Sequence, residues 1–72
     1  MLMKGGKDLR IDRVRLITEL AKREMKQVEL AKQTGISRTT VNNIISGKSC
    51  SDEVGKKIAD ALHIPIEKIL ED

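Results

Sequence analysis

Seventy-two residues with a formal net charge of +3 leave room for one small domain with a modest core. Phe, Tyr and Trp are all absent, so the core must be built from Ile, Leu, Val, Met and Ala, and single-strand nucleic-acid platforms that stack bases on aromatic rings are disfavoured. A lone Cys50 excludes an internal disulfide and fits a reducing, cytoplasmic setting, while no apolar run has the length of a membrane span or the form of a signal peptide.

The charge is unevenly placed. Residues 1–48 hold eleven Lys or Arg against five Asp or Glu, whereas residues 49–72 hold Lys56, Lys57 and Lys68 against six acids. A basic first part and an acidic second part suit a polyanionic partner for the former.

Residues 1–9, MLMKGGKDL, lack helical periodicity and read as a loose basic segment, either a tail or an arm that follows a phosphate backbone or minor groove. Residues 10–72 then form the domain. Asp12 is placed to cap a first helix running to about Met25, with Ile11 or Val14, Ile17, Leu20, Ala21 and Met25 as its inner stripe. Arg10, Arg13 and Arg15 crowd the end of that helix where the macrodipole disfavours cations, so solvent or phosphate must account for them.

Residues 27–48, QVELAKQTGISRTTVNNIISGK, carry two short helical patterns joined by a tight turn. Leu30 and Ala31 give the first an apolar contact beside a small one. Gly35 stands where the chain must turn through a left-handed conformation, Ile36 plugs the turn, and Ser37 is a good N-cap for the second pattern. There Val41, Ile44 and Ile45 recur at buried-stripe spacing, while Thr39, Asn43 and Ser46, flanked by Arg38 and Asn42, form a face without an apolar residue. Short hydrogen-bonding side chains and an arginine are the chemistry that reads base edges in a major groove. Gly47 closes the helix, and Lys48 follows.

Ser51 caps a further helix through about Leu62, with Asp52 and Glu53 in its favourable first turn and Val54, Ile58, Ala59 and Leu62 facing inward. Gly55 weakens that helix and marks a close contact. His63 has no Cys, His or carboxylate at ligand spacing and reads as a C-cap or surface residue. Pro65 opens a short fifth helix, IEKILED, with Ile66, Ile69 and Leu70 on its apolar edge.

Gln27, Leu30, Ala31, Gly35, Ser37, Val41, Ile44, Gly47 and Lys48 together resemble the helix-turn-helix of the Cro/C1-type, XRE-like family. The segment GISRTTVNNIISGK is also similar to the recognition segment of LacI-type headpieces, but those begin directly with the first helix of the motif and continue into a hinge. Here a full helix comes first, which favours the Cro/C1 type. The resemblance covers about residues 12 to 70 and implies an all-α, lambda-repressor-like bundle of about five short helices.

Two departures stand out. The family pattern has a glycine before Leu-Ser-Gln, whereas residues 22–27 read KREMKQ, one residue shorter in alignment and without glycine. Many members also pair an arginine in the first helix with a glutamate late in the recognition helix. Those positions are Leu20 or Ala21 and Ile45 here, so an ion pair has become an apolar contact.

The resulting expectation is a small transcriptional regulator, a repressor, that seats the helix from Ser37 to Ser46 in the major groove of double-stranded DNA. Arg38, Thr39, Thr40, Asn42 and Asn43 are the base-reading candidates, and Lys26, Gln27, Ser37 and Lys48 the phosphate-holding ones. A weak homodimer on a pseudo-palindromic operator, meeting through Ile64, Ile66, Ile69 and Leu70, completes that expectation. No cofactor, metal or membrane is implied. No nucleophile with a nearby base, paired carboxylates or phosphate loop points to an enzyme. The competing reading is an antitoxin or adaptor that uses the same fold to bind a toxin or another protein.

Overall fold

The computed structural model describes residues 8–71. Its elements in chain order are β1 (Asp8–Leu9), α1 (Arg13–Lys22), α2 (Gln27–Thr34), α3 (Arg38–Ile45), β2 (Cys50–Ser51), α4 (Asp52–Leu62) and a 3-10 turn, Ile66–Lys68. The architecture is the small helical helix-turn-helix globule expected, with four α-helices among the described residues instead of about five.

The fifth helix fails because its last residues are drawn into an extended pairing with the chain start. The Asp12 N–H donates to the Ile69 carbonyl at 2.7 Å and the Glu71 N–H to the Arg10 carbonyl at 2.9 Å, on either side of an antiparallel bridge between Ile11 and Leu70. Backbone groups so engaged cannot extend a helical ladder. Ile69 consequently lies fully buried in the core.

The N-terminal end also gains structure. β1 pairs antiparallel with β2, Asp8 opposite Ser51 and Leu9 opposite Cys50, so the last two residues of the segment read as loose form a strand. Its residues 1–7 lie outside the described residues. Leu9 packs over Gly55, where an added Cβ would lie 2.7 Å from the Leu9 Cδ1 and 3.3 Å from the Ile66 Cδ1. That close approach accounts for a glycine within α4.

α1 is capped as expected, the Asp12 carboxylate accepting from the Val14 and Arg15 N–H groups at 2.9 and 3.2 Å. Its inner face differs. Leu16 and Leu20 are buried, while Val14 is 65% exposed, Ile17 46% exposed, and Ala21 exposed as well. The helix carries two apolar rows, and contacts outside it choose between them: Arg15 Nη1 donates to the Leu70 carbonyl at 2.8 Å, tying that side of α1 to the chain end.

Three helices end in the same backbone motif. After α1, Glu24 N–H donates to Ala21 O and Met25 N–H to Leu20 O; after α3, Gly47 to Ile44 and Lys48 to Asn43; after α4, His63 to Asp60 and Ile64 to Ala59. Each pair of bonds satisfies carbonyls the helix leaves free and requires a left-handed residue, with φ of 51° at Glu24, 103° at Gly47 and 58° at His63. Glu24 thereby corrects the alignment of the first turn. It directly precedes Met25, Lys26 and Gln27, where the family pattern has glycine before Leu-Ser-Gln, so no residue is missing and only the residue type differs.

Candidate nucleic-acid interface

α3 is held at both ends. Ser37 is extended, its Oγ accepts the Thr40 N–H at 3.1 Å, and its hydroxyl donates to Thr40 Oγ1 at 2.9 Å. Gly47 and Lys48 close the other end as described above. Val41 and Ile44 are buried against Leu30 and the rest of the core, which fixes the rotation of the helix about its axis. At the turn between α2 and α3, Gly35 takes φ 76°, its N–H donating to the Ala31 carbonyl at 2.9 Å.

That rotation leaves Arg38, Thr39 and Asn42 exposed and Asn43 half-buried on the outer side. Thr40 is half-buried at the flank with its hydroxyl engaged by Ser37, so of the five base-reading candidates it is the one turned aside. Ser46 is exposed beside Asn42, one helical turn on. It shares the polar face expected of it from its spacing, and its exposure adds it to the base-reading candidates.

Lys26 and Gln27 are exposed at the start of α2, and both line one open groove with Arg38. Lys26 occupies the cap position of α2 but has no side-chain oxygen to accept a bond; only the reciprocal contact exists, from its N–H to Glu29 Oε1 at 2.8 Å. First-turn amides of α2 thus point outward without a side-chain cap, next to two polar side chains, an arrangement suited to an anionic oxygen. Ser37 and Lys48 are exposed at opposite ends of α3.

Ile45 and Leu20, the positions where an ion pair had given way to apolar residues, line the same groove. Its volume is about 510 Å³, and Ile17, Ala21, Met25 and Val28 complete it.

The surface read as a dimer interface needs correction at one position. Ile69 is fully buried and offers nothing to a partner, because the bridge between Ile11 and Leu70 turns it into the core. Ile64, Ile66 and Leu70 are half-buried. His63 caps α4 in the left-handed conformation, and Cys50 is buried. Among the described residues, no group of three or more His, Cys, Asp or Glu is placed to hold a metal ion, and no helix is long and apolar enough to cross a membrane.

A family model described as helix-turn-helix matches residues 16–69 of this chain. The fold is similar to that in the crystal structure of transcriptional regulator VanUg, form II, with a TM-score of 0.77 at 24% identity over 99% of this chain and 95% of that one. No curated protein matches the sequence.

Proposed function

The chain belongs to the Cro/C1-type helix-turn-helix family, and from that premise we propose that it is a sequence-specific double-stranded DNA-binding protein acting as a transcriptional repressor. The observation that carries this reading is the outer side of α3, where Arg38, Thr39, Asn42, Asn43 and Ser46 project without an apolar side chain from a helix locked at both ends. Amide and hydroxyl groups on a fixed helix are suited to the donor and acceptor pattern of a major groove. Arg38 reaches guanine, and Asn42 and Asn43 are the adenine-type readers. Lys26, Gln27, Ser37 and Lys48 hold the flanking phosphates and set the register of the helix.

One recognition helix reads too few base pairs to find a site in a genome, so two copies act on a pseudo-palindromic operator with half-sites about 34 Å apart. With Ile69 inside, the surface left for that pairing is Ile64, Ile66 and Leu70, all already half-buried. Pairing without DNA is therefore weak, and the operator holds the two copies together by raising their effective concentration.

Selection of bound duplexes from a random pool tests the whole reading. A two-fold site should emerge, bound by two copies, with an affinity that falls by a log-log slope of about −0.9 per phosphate neutralised as salt rises. Absence of any enriched duplex, or an affinity indifferent to salt, would overturn it.

A further inference from the structure

The open groove between α1 and α3 has an apolar floor and a basic rim. Ile17, Ala21 and Ile45 contribute to the floor, and Val14 extends the same row of α1 toward its start. Val14 and Ile17 are the large hydrophobic residues most exposed among the described residues, at 65% and 46%. The row from Val14 to Ala21 rises through seven residue-to-residue steps of helix, about 10 Å, long enough for two turns of a second helix laid alongside. Its charged lining is Lys26 and Arg38, with no acid among the lining residues, and neither cation forms an ion pair among the described residues.

We propose that this groove docks an acidic amphipathic helix of a protein partner, and that docking releases DNA by covering Arg38, Lys26 and Gln27. An apolar strip at helical spacing matches the anchors of a helix laid in a groove, and the unpaired cations on its rim select carboxylates on the flanks of that helix. The apolar pair Leu20 and Ile45 makes this possible, since charged groups there would break the floor. The docking surface stands on the groove alone; the competition with DNA rests on the DNA-binding reading above.

The test uses the full chain and a fluorescein-labelled synthetic helix of about 16 residues, with leucines on one face at helical spacing and glutamates on its flanks. A lysine-flanked version serves as the control. The acidic peptide should bind, shift amide resonances along α1 and at the start of α2 and α3, and bind about tenfold or more tightly than the lysine peptide. Ile17→Asp should weaken it by about tenfold or more, while lowering duplex affinity by no more than the one negative charge it adds beside Lys26 and Arg38. Val14→Asp, at a still more exposed position, reads the same effect should Ile17→Asp fold poorly. On a selected duplex, the acidic peptide should displace DNA from the unaltered chain and fail to displace it from either variant.

Peptide binding at the groove by a chain that binds no duplex would remove the DNA reading and leave the docking surface standing. Absence of peptide binding by a chain that does bind duplex would overturn the proposal. So would equal binding of the lysine peptide, or resonance shifts centred on Ile66 and Leu70. Self-association of the chain that Ile17→Asp abolishes would also overturn it, by making a second copy the occupant.

Discussion

α1 and α3 are both amphipathic, yet they turn opposite kinds of surface to solvent. α3 buries Val41 and Ile44 and shows polar Thr39, Asn42 and Ser46, whereas α1 buries Leu16 and Leu20 and still exposes Val14 and Ile17. The difference lies in how many apolar rows each helix carries. With a single row, burial of that row fixes the rotation of α3; with two rows, the rotation of α1 is decided by the Ile11–Leu70 bridge and the Arg15 bond to Leu70. An apolar row that loses this competition remains on the surface, where it is available to a partner.

Neighbouring residues of α1 test that account most strongly. Leu16→Ala should destabilise the domain by about 2–5 kcal/mol, because it empties a fully enclosed site, and Ile17→Ala should change stability by roughly 0.5 kcal/mol or less. Urea unfolding of the two variants measures both. Since a domain of this size holds only about 5 kcal/mol in total, Leu16→Ala should be close to unfolded at room temperature. The reverse ranking would place the row of Val14, Ile17 and Ala21 inside.

The same contrast explains what could be read before the structure. Gly35, Ser37 and Gly47 act on backbone groups within a few residues of themselves, so their roles in shaping α3 follow from residue type and order. Arg15 is the opposite case. Placed at an unfavourable helix end, it read as solvated or phosphate-bound, but it contacts the Asp12 carboxylate at 3.7 Å and donates to a carbonyl 55 residues away. The two short strands and the burial of Ile69 likewise depend on pairings between the two ends of the chain, for which two-residue segments carry no periodicity. Exposure of the α3 face was legible because burial on one side of a helix dictates the other. The groove beside it was hidden by the wrong rotation of α1.

A second test concerns α3 itself. Arg38→Ala and Asn42→Ala should each cost roughly 1–3 kcal/mol against the best duplex and relax preference at particular base pairs, whereas Lys48→Ala should weaken all sequences alike and reduce the salt slope by about one phosphate. Competition binding against a panel of single-base variants distinguishes the two patterns. Uniform loss in all three variants would mean that the outer side of α3 contacts phosphates and that α1 and α3 differ less in function than in polarity.

The helix ends sharpen the comparison at smaller scale, because α1 and α3 finish in the same motif with different residues. Gly47→Ala places a Cβ in open space, so its cost is conformational: about 1–2 kcal/mol for the left-handed backbone, partly offset by roughly 0.4–1 kcal/mol from a less flexible unfolded chain. A net loss near 1 kcal/mol is expected. By the same balance Glu24→Gly, and His63→Gly after α4, should each stabilise the domain by about 0.5–1 kcal/mol. Thermal unfolding of the three variants would reveal a departure, and destabilisation by Glu24→Gly would show that its side chain contributes more than its backbone strain costs.

The smallest effect lies at the C-terminal end of α1. Arg23 donates from Nη1 to Glu19 Oε1 and to the Glu19 carbonyl, both at 2.8 Å, and from Nη2 to the Leu62 carbonyl at 2.8 Å, so one guanidinium ties α1 to the end of α4. That hydrogen bond, with a weaker contribution from Lys22, holds the Glu19 carboxyl below the usual glutamate range. A carboxyl whose pKa is lower in the folded state adds stability above its unfolded value and loses it as pH falls through the folded one. Glu19→Gln should therefore lower the melting temperature slightly near neutral pH, with the gap to the unaltered chain closing as pH falls below the ordinary glutamate value of 4.5. Lys22 and Arg23, its two cationic partners, are exposed residues, which keeps the effect small and salt-sensitive. A gap that widened toward acid would mean that the folded carboxyl holds its proton more tightly than the unfolded one, and no gap at any pH would mean that the Arg23 bond to Leu62 holds these helix ends together without help from the carboxylate.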